Sequence, residues 1–162
     1  MKAQQLIETA VLAAACCAIM TGGLACAAPP GKACPVTSPN GSTPPGEKPG
    51  GHHGNGALWT VLSTDGKVII RPGVSGSIQP DGSLAMKFPW WRGVRGRLAI
   101  QGRRLDAKAP PLRASIPEGY GDTGFQATGL IFPAEGCWEV TGKAGEASLT
   151  FVTEVIRAEE QR

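Results

Sequence analysis

Apolar and polar residues alternate most clearly near the end of the chain, over residues 136–156. Two alternating runs flank a glycine-bounded turn at residues 142–145, a pattern typical of an antiparallel hairpin. One face of this hairpin is apolar and consists of Trp138, Val140, Leu149, Phe151 and Val155. Because an isolated hairpin is only marginally stable in water, we expect this face to pack on further strands, with Trp138 between two layers.

Shorter alternating segments precede the hairpin. They predict strands over residues 58–62, 67–71, 77–79, 84–88, 97–101, 112–116 and 127–132. The second strand is expected to return from a turn and pair with the first, and Pro89 is expected to end the fourth. After Gly56 no window longer than a few residues has helical periodicity. The spacing therefore favours an all-β fold, an antiparallel β-sandwich over residues 57–157.

The first 26 residues have the pattern of an export signal, with Lys2 followed by an alanine-rich apolar run and then small residues. The apolar run is too short to be assigned as a transmembrane helix. Cleavage at Ala25-Cys26-Ala27 predicts secretion, whereas residues 23–26 resemble a bacterial lipoprotein signal in which Cys26 carries the lipid. An uncleaved anchor is the third alternative. All three place the rest of the chain outside the cytoplasm.

Proline and glycine dominate residues 27–56, and aliphatic side chains are almost absent there. Such a segment buries too little apolar surface to offset the entropy lost on ordering, so it is predicted to be a disordered tether. Residues 158–162 are predicted to be a polar tail.

The interpretation of the cysteines depends on whether the chain is exported. Cys16 and Cys17 lie inside the predicted signal. If Cys26 is lipidated or removed, Cys34 and Cys137 remain, and an oxidising compartment favours a disulfide between them over two free thiols. Because Cys137 alternates with Trp138, this bridge is expected to pin the start of the tether to the outside or the edge of the final strand pair. It would contribute on the order of 4 kcal/mol in the chain-entropy model.

Charge and aromatic residues supply one candidate binding patch. The net charge of +3 gives no argument for nucleic acid. Two adjacent tryptophans at a strand end cannot both face one core, so one is expected to be partly exposed. Exposed aromatic rings stack on sugars, and guanidinium groups bind phosphate or carboxylate. The predicted patch consists of Trp90, Trp91, Arg92, Arg95, Arg97, Arg103 and Arg104.

The expected partner of this patch is an acidic envelope polymer, an anionic lipid surface or an envelope protein, with membrane contact otherwise limited to a lipid anchor or the signal segment. The structural alternative is one core tryptophan, one rim tryptophan covered by arginine stems, and a solvated basic face.

No catalytic constellation is recognisable. The two histidines, His52 and His53, are adjacent in the predicted tether, so the folded part lacks a histidine base, and neither a metal site nor a cofactor is predicted. Residues 119–124 match G-x-G-x-x-G, but a dinucleotide site needs a following helix, and the pattern here predicts a strand. Glycoside hydrolysis needs two carboxylates at a defined separation. The acidic residues considered for this role have no spacing that fixes such a separation: Glu118, Asp122, Glu135 and Glu139.

The ending Gly136-Cys137-Trp138-Glu139-Val140-Thr141, preceded by Phe132-Pro133, resembles the last strands of bacterial immunoglobulin-like envelope domains. It is most similar to small exported bacterial proteins of unassigned function that share this ending. The resemblance covers roughly the last 100 residues and implies an immunoglobulin-like fold and an extracytoplasmic address. It implies nothing about catalysis. The chain departs from antibody-type domains because no second core cysteine lies opposite Cys137 and Tyr120 does not precede it by two residues.

These observations together predict a non-enzymatic exported envelope protein, a tethered β-sandwich that acts as a binding or interaction module. Two alternatives remain open at this point. One is a carboxylate-based envelope hydrolase, and the other is a structural accessory subunit of a larger envelope complex.

Overall fold

The computed structural model describes residues 33–158, which form ten strands and no helix. The strands are β1 (His52–Gly54), β2 (Leu58–Val61), β3 (Lys67–Ile70), β4 (Ser77–Ile78), β5 (Leu84–Arg92), β6 (Ala99–Arg104), β7 (Arg113–Ser115), β8 (Gly124–Phe132), β9 (Gly136–Ala144) and β10 (Ala147–Arg157). The predicted export signal, Cys26 and the tail after Ala158 lie outside these residues. Within them, no helix is long and apolar enough to cross a membrane.

The strands form two sheets. The first has the order β1-β2-β5-β8-β7, with β4 also paired to β5, and the second has the order β3-β10-β9-β6. Every pair is antiparallel except β3 with β10, which is parallel. Buried apolar residues from both sheets form one core cluster. This arrangement is consistent with the predicted β-sandwich.

The final hairpin is the centre of the core, as the alternation predicted. Trp138 is fully buried, and the rest of the predicted apolar face is buried with it. Ala144 lies opposite Ala147, so the turn falls at residues 145–146, slightly later than expected. Gly142 lets the second sheet approach Trp90 of the first, since a Cβ there would lie 2.4 Å from the indole ring.

The predicted pairing of β2 with β3 is wrong, because the two strands belong to different sheets. The loop between them crosses from one sheet to the other, and β3 aligns Val68 with Val155 of β10. The carbonyl of Gly66 fixes the crossing by accepting hydrogen bonds from the Thr153 hydroxyl and the Glu154 amide. Alternation identifies strand residues but does not choose their neighbours.

The prediction that Pro89 ends a strand is also wrong, since β5 continues to Arg92. On the edge of β5 away from β8, β4 pairs with Leu84 and Ala85, and β2 pairs from Trp90 onward. Pro89 lies between these two ladders, where its missing N–H removes no ladder hydrogen bond. Its carbonyl accepts a hydrogen bond from the Thr60 hydroxyl.

The tether prediction is wrong for residues 33–56, which are part of the fold. We define residues 33–51 as the N-terminal arm; residues 52–54 are β1. Thr37 pairs with Val152 on the edge of β10 through two hydrogen bonds, of 2.8 and 2.9 Å. Farther along, the Asn40 side chain bonds both backbone groups of Gly54. The arm thus connects an edge of the second sheet to an edge of the first.

The structure contains the predicted disulfide between Cys34 and Cys137, whose Cα atoms are 5.4 Å apart. It joins the start of the arm to β9. Cys137 is buried, so the bridge is covered although it lies on the face opposite Trp138. The arm is ordered by this bond and by backbone pairing rather than by aliphatic burial, which explains why composition failed to reveal it.

Candidate functional site

The structure divides the predicted Trp/Arg patch among different environments. Trp90 belongs to the core, and its neighbour Trp91 is half-buried on the outer face of the first sheet. Arg103 and Arg104 lie on β6 in the second sheet, where they form ion pairs with Glu139 and Asp106 at 2.7 Å. The seven residues therefore do not form one surface.

Arg92 is buried and joins two loops. Its side chain is only 4% exposed. The guanidinium donates hydrogen bonds to the carbonyls of Gly96, Tyr120 and Gly121, at 2.9, 3.3 and 2.8 Å. One carbonyl belongs to the β5–β6 loop and the other two to the β7–β8 loop. Arg92 therefore holds these loops together at one end of the molecule.

Arg95 and Arg97 are exposed members of the predicted patch, as is Arg103 on β6. The first two lie in the β5–β6 loop. Arg97 forms a 3.1 Å ion pair with Glu118 of the β7–β8 loop, and both side chains are highly exposed. Because exposed ion pairs contribute little to stability, this pair leaves both side chains able to rearrange around a ligand.

Three aromatic side chains form a row that we term the aromatic strip: Trp91, Phe125 and Tyr120. Trp91 and Phe125 are register partners on β5 and β8, with ring centroids 5.3 Å apart in an edge-to-face arrangement. Phe125 meets Tyr120 at 6.1 Å in the same manner. At the other end, His52 contacts Trp91 edge-on, and Glu47 of the arm accepts the indole N–H hydrogen bond.

The strip is covered at the Trp91 end, and its middle ring, Phe125, is the exposed one, whereas Trp91 and Tyr120 are half-buried. Phe125 has 46% of its surface exposed, and among the described residues only Val74 is another large exposed apolar side chain. Val74 lies in the turn between β3 and β4, outside the strip. Phe125 is therefore the large apolar side chain of the strip that is exposed to solvent instead of packed in the core.

A cleft of about 510 Å³ lies beside Tyr120, where the first sheet separates from β6 of the second. The charged pair Arg97 and Glu118 lines it at the loop end, and β6 and β7 contribute apolar side chains. The cleft and the aromatic strip share Tyr120 but face different directions: the strip follows the outer surface, and the cleft enters between the sheets.

The features considered for catalysis have other contacts here. Glu118 and Glu139 each pair with an arginine, and Glu135 accepts a hydrogen bond from the Arg157 amide. The G-x-G-x-x-G match at residues 119–124 lies in a loop that leads into strand β8. It is therefore followed by a strand and not by the helix that a dinucleotide site needs. Over residues 33–158 no group of three or more histidine, cysteine or acidic side chains could hold a metal ion.

Sequence reasoning missed Phe125 and Tyr120. The sequence predicts that the strand near Phe125 begins at residue 127, whereas β8 begins at Gly124. If the alternation is extended back to Gly124, it assigns Phe125 to the outer face. No sequence pattern signals that the β7–β8 loop brings Tyr120 against Phe125. No protein-family model, curated protein or solved structure matches the chain.

Proposed function

We propose that this chain is a non-enzymatic, exported protein of the bacterial envelope, an immunoglobulin-like module that binds an acidic glycan polymer. The exposed ring of Phe125 in the middle of the aromatic strip carries this proposal. Edge-to-face packing against two neighbours fixes the ring, so little entropy is lost when a ligand stacks on it.

The charge of the β5–β6 loop favours an acidic partner, because Arg97 has an exposed, exchangeable ion pair and, within residues 33–158, Arg95 has none. Arg95 and Arg97 extend from the loop that Arg92 ties to the Tyr120 loop. Aromatic faces supply stacking surfaces for sugar rings, and guanidinium groups supply paired donors for carboxylate or phosphate. An acidic glycan presents both groups repeatedly, which allows several weak contacts to act together.

The extracytoplasmic address is supported by the disulfide between Cys34 and Cys137, because such bonds persist in oxidising compartments. The export signal pattern in the sequence supports the same address. A protein exported from the cytoplasm would be in contact with the polymers of the envelope.

The test compares Phe125→Ala with Val74→Ala in co-sedimentation with purified, insoluble acidic cell-wall glycan. Both variants shorten an exposed apolar side chain, but Val74 lies outside the strip. We expect Phe125→Ala to weaken retention about threefold to tenfold, the loss that corresponds to one aromatic contact. Val74→Ala should behave as the unmodified protein.

Equal retention of the two variants would remove the strip as the binding surface. Retention on anionic lipid vesicles in place of glycan would overturn the ligand class. Circular dichroism melting of both variants establishes that each remains folded.

A further inference from the structure

Beside Tyr120, two residues each carry one buried polar atom without a hydrogen-bond partner. The two atoms are Nε of Arg92 and Oε1 of Gln126, on side chains that are 4% and 6% exposed. Both residues line the cleft. A buried donor or acceptor without a partner is costly, and native proteins retain few of them. One unpaired donor and one unpaired acceptor, on two residues that line the same cleft, therefore indicate a ligand.

The two atoms come from neighbouring positions on the inner face of the first sheet. Gln126 lies directly opposite Trp90, and Arg92 is two residues farther along β5. Diagonal positions of this kind bring long side chains within reach of a common ligand. The remaining polar atoms of both side chains are engaged, since Gln126 donates to the Pro117 carbonyl at 2.9 Å and Arg92 bonds three loop carbonyls.

The charge of the cleft favours an anion. Arg92 has only neutral carbonyl partners, and within residues 33–158 it forms no ion pair with a carboxylate. A buried charge is expensive to maintain unless an opposite charge compensates it. At the mouth, Arg97 is already balanced by Glu118, so the uncompensated positive charge is that of Arg92.

The lining restricts the ligand further. Apolar side chains face the cleft from both sides, namely Leu98, Ile100, Ala114 and Ile116. The ligand must therefore combine an anionic acceptor, a nearby N–H or O–H donor, and a small apolar group. A cleft of about 510 Å³ is within the size range of small-molecule sites.

We propose that this cleft binds the C-terminal residue of a peptide. Its carboxylate would accept the free Nε–H of Arg92, and its own backbone N–H would donate to Oε1 of Gln126. Its small side chain would contact the apolar lining. This cleft shares Tyr120 and Arg97 with the glycan surface proposed above, but the proposed peptide contacts Arg92 and Gln126, which the glycan proposal does not require.

The experiment is a titration of the ¹⁵N-labelled full-length, disulfide-bonded chain, followed by NMR. The probe is N-acetyl-alanyl-alanine with a free carboxylate, and the matched probe is the same dipeptide with a C-terminal amide. The Arg92 Nε–H and Gln126 side-chain NH₂ signals should shift in a saturable manner with the acid. The amide should bind about tenfold to hundredfold more weakly, because it loses a charge-assisted hydrogen bond.

Two substitutions at Gln126 and one control complete the test. Gln126→Glu places a negative charge beside the ligand carboxylate and should abolish binding, whereas Gln101→Glu adds the same charge at an exposed position on β6 and should not. Gln126→Met retains the side-chain size and removes the acceptor, which provides a second variant if the first fails to fold. Saturable binding of the acid that both Gln126 variants lose would support the site.

Three results would overturn the proposal. They are unchanged Arg92 and Gln126 signals at millimolar probe, equal binding of the acid and the amide, and full binding by Gln126→Met. Loss of glycan retention in the Phe125→Ala protein with intact dipeptide binding would confirm that the two sites are independent.

Discussion

Arg92 is a residue whose environment in the structure differs from the one predicted from the sequence. Its place beside two tryptophans made it a candidate ligand-binding side chain. In the structure it is buried and bonds the carbonyls of two loops. The alternation of β5 contains this information, because Phe88, Trp90 and Arg92 share the inner face once the strand is extended through Pro89.

Gly142 is the residue whose substitution tests the contact between the two sheets. Gly142→Ala places a Cβ 2.4 Å from the buried Trp90 ring, so the ring or the strand must shift. Overpacking of this kind is expected to lower the free energy of unfolding by about 1–3 kcal/mol. Chemical denaturation measures the change.

The matched control is Gly129→Ala on β8, where the nearest side-chain atom lies 3.5 Å from the added Cβ, an ordinary contact distance. This change should be neutral or slightly stabilising, since alanine restricts the unfolded chain. Equal destabilisation of the two variants would contradict the close approach of Trp90 and Gly142.

At the scale of elements, local features were predictable, whereas long-range strand pairing was not. The final hairpin followed from its alternation, and Trp138 is buried as expected. The parallel pairing of β3 with β10 joins segments separated by most of the domain, and no local pattern encodes it. The arm was missed for the same reason: its disulfide was predicted, but its hydrogen bonds to the edges of the two sheets were not.

The turn between β4 and β5 links to β7 through a carboxylate, and this link depends on pH. The hydroxyl of Ser83 donates to Asp81, as do the Ser83 amide and the Arg113 guanidinium. These bonds lower the pKa of Asp81 from 3.8 to about 2, with the Ser83 hydroxyl as the largest cause. Because the folded pKa is depressed, the stabilisation is present above the unfolded value and is lost as pH falls through about 2.

NMR titration of the Asp81 carboxyl carbon should therefore give a midpoint near 2, and Ser83→Ala should raise it. Asp81→Asn should lose less stability than the unmodified protein as the pH falls from 3.8 to about 2. Asp122→Asn, in an exposed loop, controls for removal of one surface carboxylate. An Asp81 midpoint at its ordinary value would contradict this arrangement of hydrogen bonds.

At the scale of the whole described body, the two sides of the sheet pair differ. The arm bridges the sheets on one side, through Thr37 at β10 and Asn40 at β1. The opposite side has the cleft between β6 and β7, and the aromatic strip reaches the same end of the molecule. The arm therefore covers one side, and both surfaces proposed to bind ligands lie toward the other.

The sequence predicted the all-β class but only part of the candidate site. One of the two adjacent tryptophans was expected to be partly exposed, and it is Trp91, while Phe125, Tyr120 and Gln126 were not predicted as site residues. Their relation depends on the register of β5 with β8 and on the path of one loop. Packing over the whole fold determines both the register and the path of the loop. The local pattern of apolar and polar residues does not encode this packing.

Amide hydrogen exchange of the disulfide-bonded protein tests the central claim most directly, namely that the arm and the two sheets form one folded body. The amides of Thr37 and Gly41 donate to Val152 and His52, so both should exchange slowly, as strand amides do. The exposed amides of Arg95 and Asp122 should exchange rapidly. Rapid exchange throughout residues 33–51 would identify the arm as a free tether and contradict the account.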